Sequence, residues 1–259
     1  MVEANSINNN SETENLPDIN DLTYEFLSDD YPNYDLTFKM IVIGDAYVGK
    51  SCLTSKGTKD AFDSSYSATV GFEFLHCNIK INDVICKLQI WDTCGQEVYR
   101  SLITNFYRNS SLAILVYSID NWESFENVDL WLKELKTFSS PDAKVFLIGN
   151  KADLDYNRKV ETSLGEKFKE EHNLNYFTET SAKTGFNAKK VFAESAKILY
   201  LDHLKYKDKV DRSRSNSYGS VSSLGSNKSS GKYAISTLDK MSKETPIEKK
   251  ENKSGGCAC

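Results

Sequence analysis

Eight residues, Gly44-Asp45-Ala46-Tyr47-Val48-Gly49-Lys50-Ser51, place two glycines, a lysine and a hydroxyl at the spacing G-x-x-x-x-G-K-S. That set suits a polyphosphate. Glycines let the backbone turn tightly, so successive N–H groups converge on a phosphate at a helix N-terminus. The Lys50 ammonium can bridge β- and γ-phosphates, and the Ser51 hydroxyl can ligate Mg²⁺. An ordinary strand-to-helix turn is the bland alternative. The flanks favour the phosphate reading, because the apolar run Phe38–Ile43 precedes the loop and Cys52-Leu53 fits the first turn of a helix.

Three further clusters follow predicted strands. Trp91-Asp92-Thr93-Cys94-Gly95-Gln96 puts a carboxylate where it can hold a metal shell and a glycine N–H where it can reach a γ-phosphate. Asn150-Lys151-x-Asp153 has the chemistry for guanine. The Asp153 carboxylate can accept both N1–H and the 2-amino group, whereas adenine would leave it desolvated and unpaired. Lys151 can lay its aliphatic stem along the base. Ser181-Ala182-Lys183 can offer backbone N–H groups to guanine O6. Each pattern is weak alone; their order and their positions after successive strands carry the argument.

The elements that position these clusters are legible as periodicity. Phe72–Ile81 and Val84–Trp91, joined by Asn82-Asp83, read as a β-hairpin. Leu112–Ile119 and Val145–Ile148 are apolar runs suited to parallel core strands, and Tyr176-Phe177 is a short strand. Phe125, Val128, Trp131, Leu132, Leu135 and Phe138 recur at helical spacing and read as a stripe packed on the sheet. A first helix over Lys50–Lys56 should stop by Gly57. Ser163–Glu166 resembles a capping box, and Asn187 can cap a last helix whose inner face carries Val191, Phe192, Ala196 and Leu199. Strand and helix alternate throughout, so the expected class is a doubly wound α/β sheet with one antiparallel strand and helices on both faces.

Composition sets the outer bounds. The net charge of −5 is unevenly spread. Residues 1–37 are Asn-rich and acidic, with no Lys or Arg, while residues 205–259 carry about twice as many basic as acidic side chains. Apolar residues scattered over Leu16–Leu36 could form a docking element, but the composition favours a loosely held extension, and the Ser/Lys-rich tail reads as disordered. Ser213, Ser215 and Ser217 sit among arginines, where they could be phosphorylated. Six cysteines, four of them scattered through the predicted core, with no preceding signal peptide suit a reduced, intracellular protein, and no apolar run is long enough to span a bilayer.

Over roughly residues 38–204 the chain resembles the Ras superfamily of small GTPases, and within it the Rab family. The likeness rests on the clusters above and on Thr69–Phe74, Lys87–Thr93, Tyr99–Leu102, Phe106–Arg108 and Leu115–Ser118. The interval between Asn150 and Ser181 is too short for the extra helix of the Rho branch, and Val2 stands where the Arf branch needs glycine. The resemblance implies a P-loop NTPase fold with a six-stranded, mostly parallel sheet in a domain over 38–204, between an N-terminal extension (1–37) and a hypervariable tail (205–259). It implies that Gly44 to Cys52, Phe62, Thr69, Asp92, Gly95, Asn150, Lys151, Asp153, Ser181, Ala182 and Lys183 bind GTP or GDP. Ser51, Thr69 and Asp92 would hold Mg²⁺, Gln96 would orient the attacking water, and Phe62 would pack on the guanine edge. Residues near 60–74 and 94–108 would be switches ordered by the γ-phosphate.

The terminal Cys257-Ala258-Cys259 resembles a doubly geranylgeranylated end; a metal clip is the alternative, and it lacks partner ligands. The family then implies exchange factors, GTPase-activating proteins, a GDP-dissociation inhibitor, an escort protein with a geranylgeranyl transferase, and GTP-dependent effectors. It implies the cytoplasmic face of internal membranes and no nucleic-acid partner. Four residues depart from the pattern, of which Cys94, in place of the usual alanine beside Gly95, is only a small apolar substitute. Ala46 and Tyr47 occupy a crowded part of the phosphate loop, which leads us to expect slow hydrolysis or altered activation, or in the limit a non-hydrolysing scaffold that recruits effectors. Gly57 stands where a phenylalanine is usual, which predicts looser packing at the end of the first helix.

Overall fold

The computed structural model describes residues 16–62, 71–93 and 106–218. Strands β1 (Tyr24–Leu27), β2 (Leu36–Ile43), β3 (Phe72–Ile81), β4 (Val84–Thr93), β5 (Leu112–Ser118), β6 (Lys144–Asn150) and β7 (Tyr176–Glu179) form one sheet in the order β1-β3-β4-β2-β5-β6-β7. β2 pairs in parallel with β4 and β5, and the parallel ladder continues through β6 to β7; only β3 runs against its neighbours. Helices α1 (Lys50–Lys59), α2 (Trp122–Glu126), α3 (Val128–Phe138), α4 (Thr162–Glu171) and α5 (Ala188–Tyr218) supply the outer layers.

Alternation along each strand divides the core in two. Met40, Val42, Ile114, Val116, Phe146 and Ile148 pack with Leu53 of α1 and Val191, Phe192 and Ala196 of α5. Their strand neighbours Ile41, Ile43, Ala113, Leu115, Val145 and Leu147 pack with Trp131, Leu132 and Leu135 of α3. A strand buried on both faces is what continuous apolar runs produce, and it leaves the strand C-termini free to carry polar chemistry.

Five expectations need correction. The sheet carries a seventh strand, drawn from the segment expected to be loosely held. Tyr24–Leu27 pairs with Asn78–Ile81 along the outer edge of β3. Leu22 is 3% exposed and joins the core, and the Thr23 N–H and hydroxyl each donate to Asn82 Oδ1 at 3.0 Å. An unpaired strand edge is a strong template, and four residues with one buried anchor suffice to fill it. The first helix runs past Gly57 to Lys59 and stops where Asp60 turns left-handed at φ 56°. Gly57 is buried inside it, and a Cβ there would stand 2.2 Å from the Phe192 ring, so α5 fills the space and no looseness results. The last helix continues to Tyr218, into the segment expected to be disordered, supported by an Arg212–Asp208 pair one turn apart. Finally, α4 begins at Thr162, so Ser163 lies inside the helix and is not its cap.

Candidate functional site

The ends of β2, β4, β6 and β7 bring the sequence clusters together. In the phosphate loop, Gly44 has φ +139°, and a Cβ there would collide with the Val116 carbonyl oxygen at 2.1 Å. Gly49 has φ +90° and lies so close to the Asn150 amide that a Cβ would stand 2.5 Å from Nδ2. Only glycine fits either place. Lys50 Nζ donates to the carbonyl oxygens of Gly44 (2.9 Å) and Asp45 (2.7 Å), folding the lysine back over its own loop. Val48 is buried, Ala46 and Cys52 are half-buried, and Ser51 is buried in the first turn of α1. Tyr47 takes φ 64° and is 71% exposed, so its ring projects out of the loop into solvent.

Asp92, at the end of β4, is fully buried, and neither of its carboxylate oxygens has a closed hydrogen bond among the described residues. Burial pushes this carboxyl up to about 6; the nearby Ser51 hydroxyl and Lys50 ammonium act the other way, and the Glu73 charge adds to the rise. A fully buried carboxylate that a serine hydroxyl and a lysine ammonium offset only in part is a poor structural element, and with that hydroxyl it makes a suitable ligand pair for a hard cation. Ser51 and Asp92 therefore fit Mg²⁺.

Asn150 ties the base-side clusters to the phosphate loop. Its Nδ2 donates to the carbonyls of Val48 (2.9 Å) and Gly49 (3.3 Å). Its Oδ1 accepts from the Thr180 hydroxyl (3.1 Å) and the Ala182 N–H (3.3 Å). The Ser181 hydroxyl donates to Asp153 Oδ1 at 2.6 Å and accepts from the Thr184 N–H at 3.1 Å, which orients the carboxylate. Lys151 adopts φ 65°, and its Nζ lies 3.8 Å from Asp120 Oδ1, a carboxylate that also accepts from the Ser118 hydroxyl. Lys183 is exposed, and Phe62, 40% exposed, follows α1 at the edge of the described stretch. Below the site, Arg158 grips Glu179 through two bonds of 2.6 and 2.8 Å, fixing the end of β7 just before Thr180.

Thr69, Cys94, Gly95, Gln96, Cys257 and Cys259 lie outside the described residues. Thr180 and Asp120 escape a reading from sequence, because single polar residues beside a motif carry no pattern. Trp131 escapes it differently. It belongs to the apolar stripe of α3, yet its indole N–H donates to Asp45 Oδ1 at 2.7 Å. No helix among the described residues is long and apolar enough to cross a membrane.

Comparison with known proteins agrees with this geometry. The Ras family profile matches residues 39–200. Ras-related protein RABA1c of Arabidopsis thaliana is 44% identical over 161 residues, covering 62% of this chain and 74% of the relative. Ras-related protein RIC2 of Oryza sativa subsp. japonica is 42% identical over 168 residues, 65% and 77% of the two chains. Ras-related protein Rab-13 of Rattus norvegicus is 39% identical over 168 residues, 65% and 82% of the two chains. The match spans both flanks of the phosphate loop and reaches through the Ser181 cluster into α5, so the chain belongs to the Ras family and is a Rab-like small GTPase.

Proposed function

We propose that this chain is a GTP/GDP switch that hydrolyses GTP and acts in membrane traffic on the cytoplasmic face of internal membranes. The observation that carries the reading is the Asn150 bridge, which joins Val48 and Gly49 of the phosphate loop to Thr180 and Ala182 beside the base-reading Asp153. Such a bridge serves a ligand that has both a polyphosphate and a guanine. The loop N–H groups from Asp45 to Cys52 and the Lys50 ammonium bind the phosphates. Asp153, Lys151 and the Ser181–Lys183 backbone hold the base, with Phe62 along its edge. Thr69 and the Gly95 N–H contact the γ-phosphate, and Gln96 orients water for in-line attack. Mg²⁺ held by Ser51, Thr69 and Asp92 would neutralise charge on the β/γ-phosphate oxygens. Loss of the γ-phosphate would release segments 60–74 and 94–108.

The terminal Cys257 and Cys259 would carry two prenyl chains, enough for a stable yet extractable anchor, helped by the basic tail. An exchange factor, a GTPase-activating protein, a GDP-dissociation inhibitor, an escort protein with its transferase and GTP-dependent effectors are the corresponding partners. The test is purine specificity. Asp153→Asn replaces an acceptor with a donor, so GTP affinity should fall at least ~100-fold while xanthosine triphosphate, with a carbonyl in place of the 2-amino group, gains. Unchanged GTP preference would overturn the assignment of the base site. One rival, a non-hydrolysing scaffold, requires Tyr47 to block catalysis, whereas its ring is 71% exposed and projects out of the loop. Single-turnover assays with a Gln96→Leu control separate the two: turnover on the order of 10⁻⁴ per second, lost in the control, marks a hydrolase.

A further inference from the structure

A carboxylate inside a polyphosphate-binding loop works against the loop's purpose, yet Asp45 stands second in it. Its two oxygens are both engaged by one helical face. Oδ1 accepts from the Trp131 indole N–H at 2.7 Å, and Oδ2 accepts from the Asn127 amide at 2.8 Å. The two donors are one turn apart, which sets them side by side as a fork. Both are firmly placed. Trp131 is 2% exposed in the core beneath α3. Asn127 is the hinge between α2 and α3: its N–H donates back to Glu123, and its carbonyl accepts from the Trp131 N–H at 3.1 Å. From Asp45 the connection continues inward, because its own carbonyl accepts from Lys50 Nζ at 2.7 Å.

We propose that Asn127 and Trp131 are positioning residues for the phosphate loop: they hold the Asp45 carboxylate against α3 and thereby set the backbone carbonyl on which Lys50 rests. The inference rests on the reading of this site as a GTP site. Neither donor belongs to the loop itself. Their effect passes through Asp45, and it has a charge signature. A carboxylate released from the fork repels a bound polyphosphate, and it repels GTP more than GDP because GTP carries the extra phosphate.

The experiment uses the full chain, with Trp131→Phe removing the indole N–H and Asn127→Ala removing the other arm without touching the core. Dissociation of fluorescently labelled GTP and GDP is followed for each variant, alone and combined with Asp45→Asn. The expected result is GTP release accelerated roughly tenfold, the scale of a lost charge-assisted hydrogen bond, with a smaller change for GDP. In the Asp45→Asn background neither variant should alter the GTP-to-GDP ratio further, since the charge to be held is gone. Equal acceleration of both nucleotides, or an undiminished effect beside Asp45→Asn, overturns the proposal. If the unaltered chain loads no GTP, the GTP-site reading fails instead. The anchor is then read without nucleotide from the Trp131 indole N–H resonance, assigned by its loss in Trp131→Phe. It must move on Asp45→Asn, and an unmoved resonance overturns the anchor.

Discussion

At the scale of single residues, the buried carboxylate of Asp92 is the site's most consequential charge. Burial holds it up at about 6, with the Ser51 hydroxyl and the Lys50 ammonium offsetting only part of the cost. The sign of the pH dependence follows. Between the unfolded value near 4 and the folded value near 6, the folded chain binds the extra proton, so stability is greatest below that window and falls as pH rises through it. The full penalty at neutral pH is about 3 kcal/mol. In EDTA and without nucleotide, thermal unfolding should therefore show a midpoint that drops from pH 4 to pH 7, whereas Asp92→Asn should lack this component. The same variant should lose the Mg²⁺ dependence of nucleotide retention. A parallel pH profile in the two proteins would mean that Asp92 is already compensated.

At the scale of elements, the contact between α1 and α5 shows what the sequence could and could not disclose. Gly57 lies inside α1 with the Phe192 ring where its Cβ would be, 2.2 Å away, and the Ala188 carbonyl 2.7 Å away. Gly57→Ala improves intrinsic helix propensity by up to ~1 kcal/mol. Overpacking of a full core costs about 1–3 kcal/mol and should win, because backbone as well as ring blocks the methyl. The expected outcome is a lower denaturant midpoint, partly restored by Phe192→Leu; a stabilised single variant would show that the ring moves freely. The swap between Gly57 and Phe192 was illegible from sequence because it couples residues far apart in the chain, whereas the phosphate loop, the Asn82 turn and the alternating faces of β2, β5 and β6 were local patterns and were legible. The site divides the same way. Asn150, Asp153 and Ser181 were found from motif spacing, but the link from Trp131 to Asp45 was hidden, since an indole on an apolar stripe reads as packing.

At the scale of the whole molecule, the question is whether the domain begins at the phosphate-binding core or at the strap before it. Residues 19–27 form a short 3₁₀ turn and β1, and β1 closes the outer edge of β3 at Asn78–Ile81. Asn78 donates to the Ser28 carbonyl at 3.1 Å, and Lys197 of α5 lies over the Tyr24 ring at 5.3 Å, so the strap touches both the sheet and the last helix. Against these contacts stands the cost of ordering its backbone, about 1–2 kcal/mol per residue. A few hydrogen bonds and one cation–π contact, between the buried Lys197 and the exposed Tyr24 ring, do not offset that alone; the burial of Leu22 has to decide the balance. Leu22→Ala should then cost about 2–4 kcal/mol and lower the midpoint of the nucleotide-saturated chain by several degrees. A chain starting at Asp35, which keeps β2 whole, should melt close to the Leu22→Ala variant, because a strap without its anchor is worth little more than no strap. Coincident melting of all three proteins would make the strap an ornament on an independent domain. A truncated chain much less stable than Leu22→Ala would instead assign the stabilisation to the β1–β3 ladder itself, and so place the boundary of the folding unit at the strap.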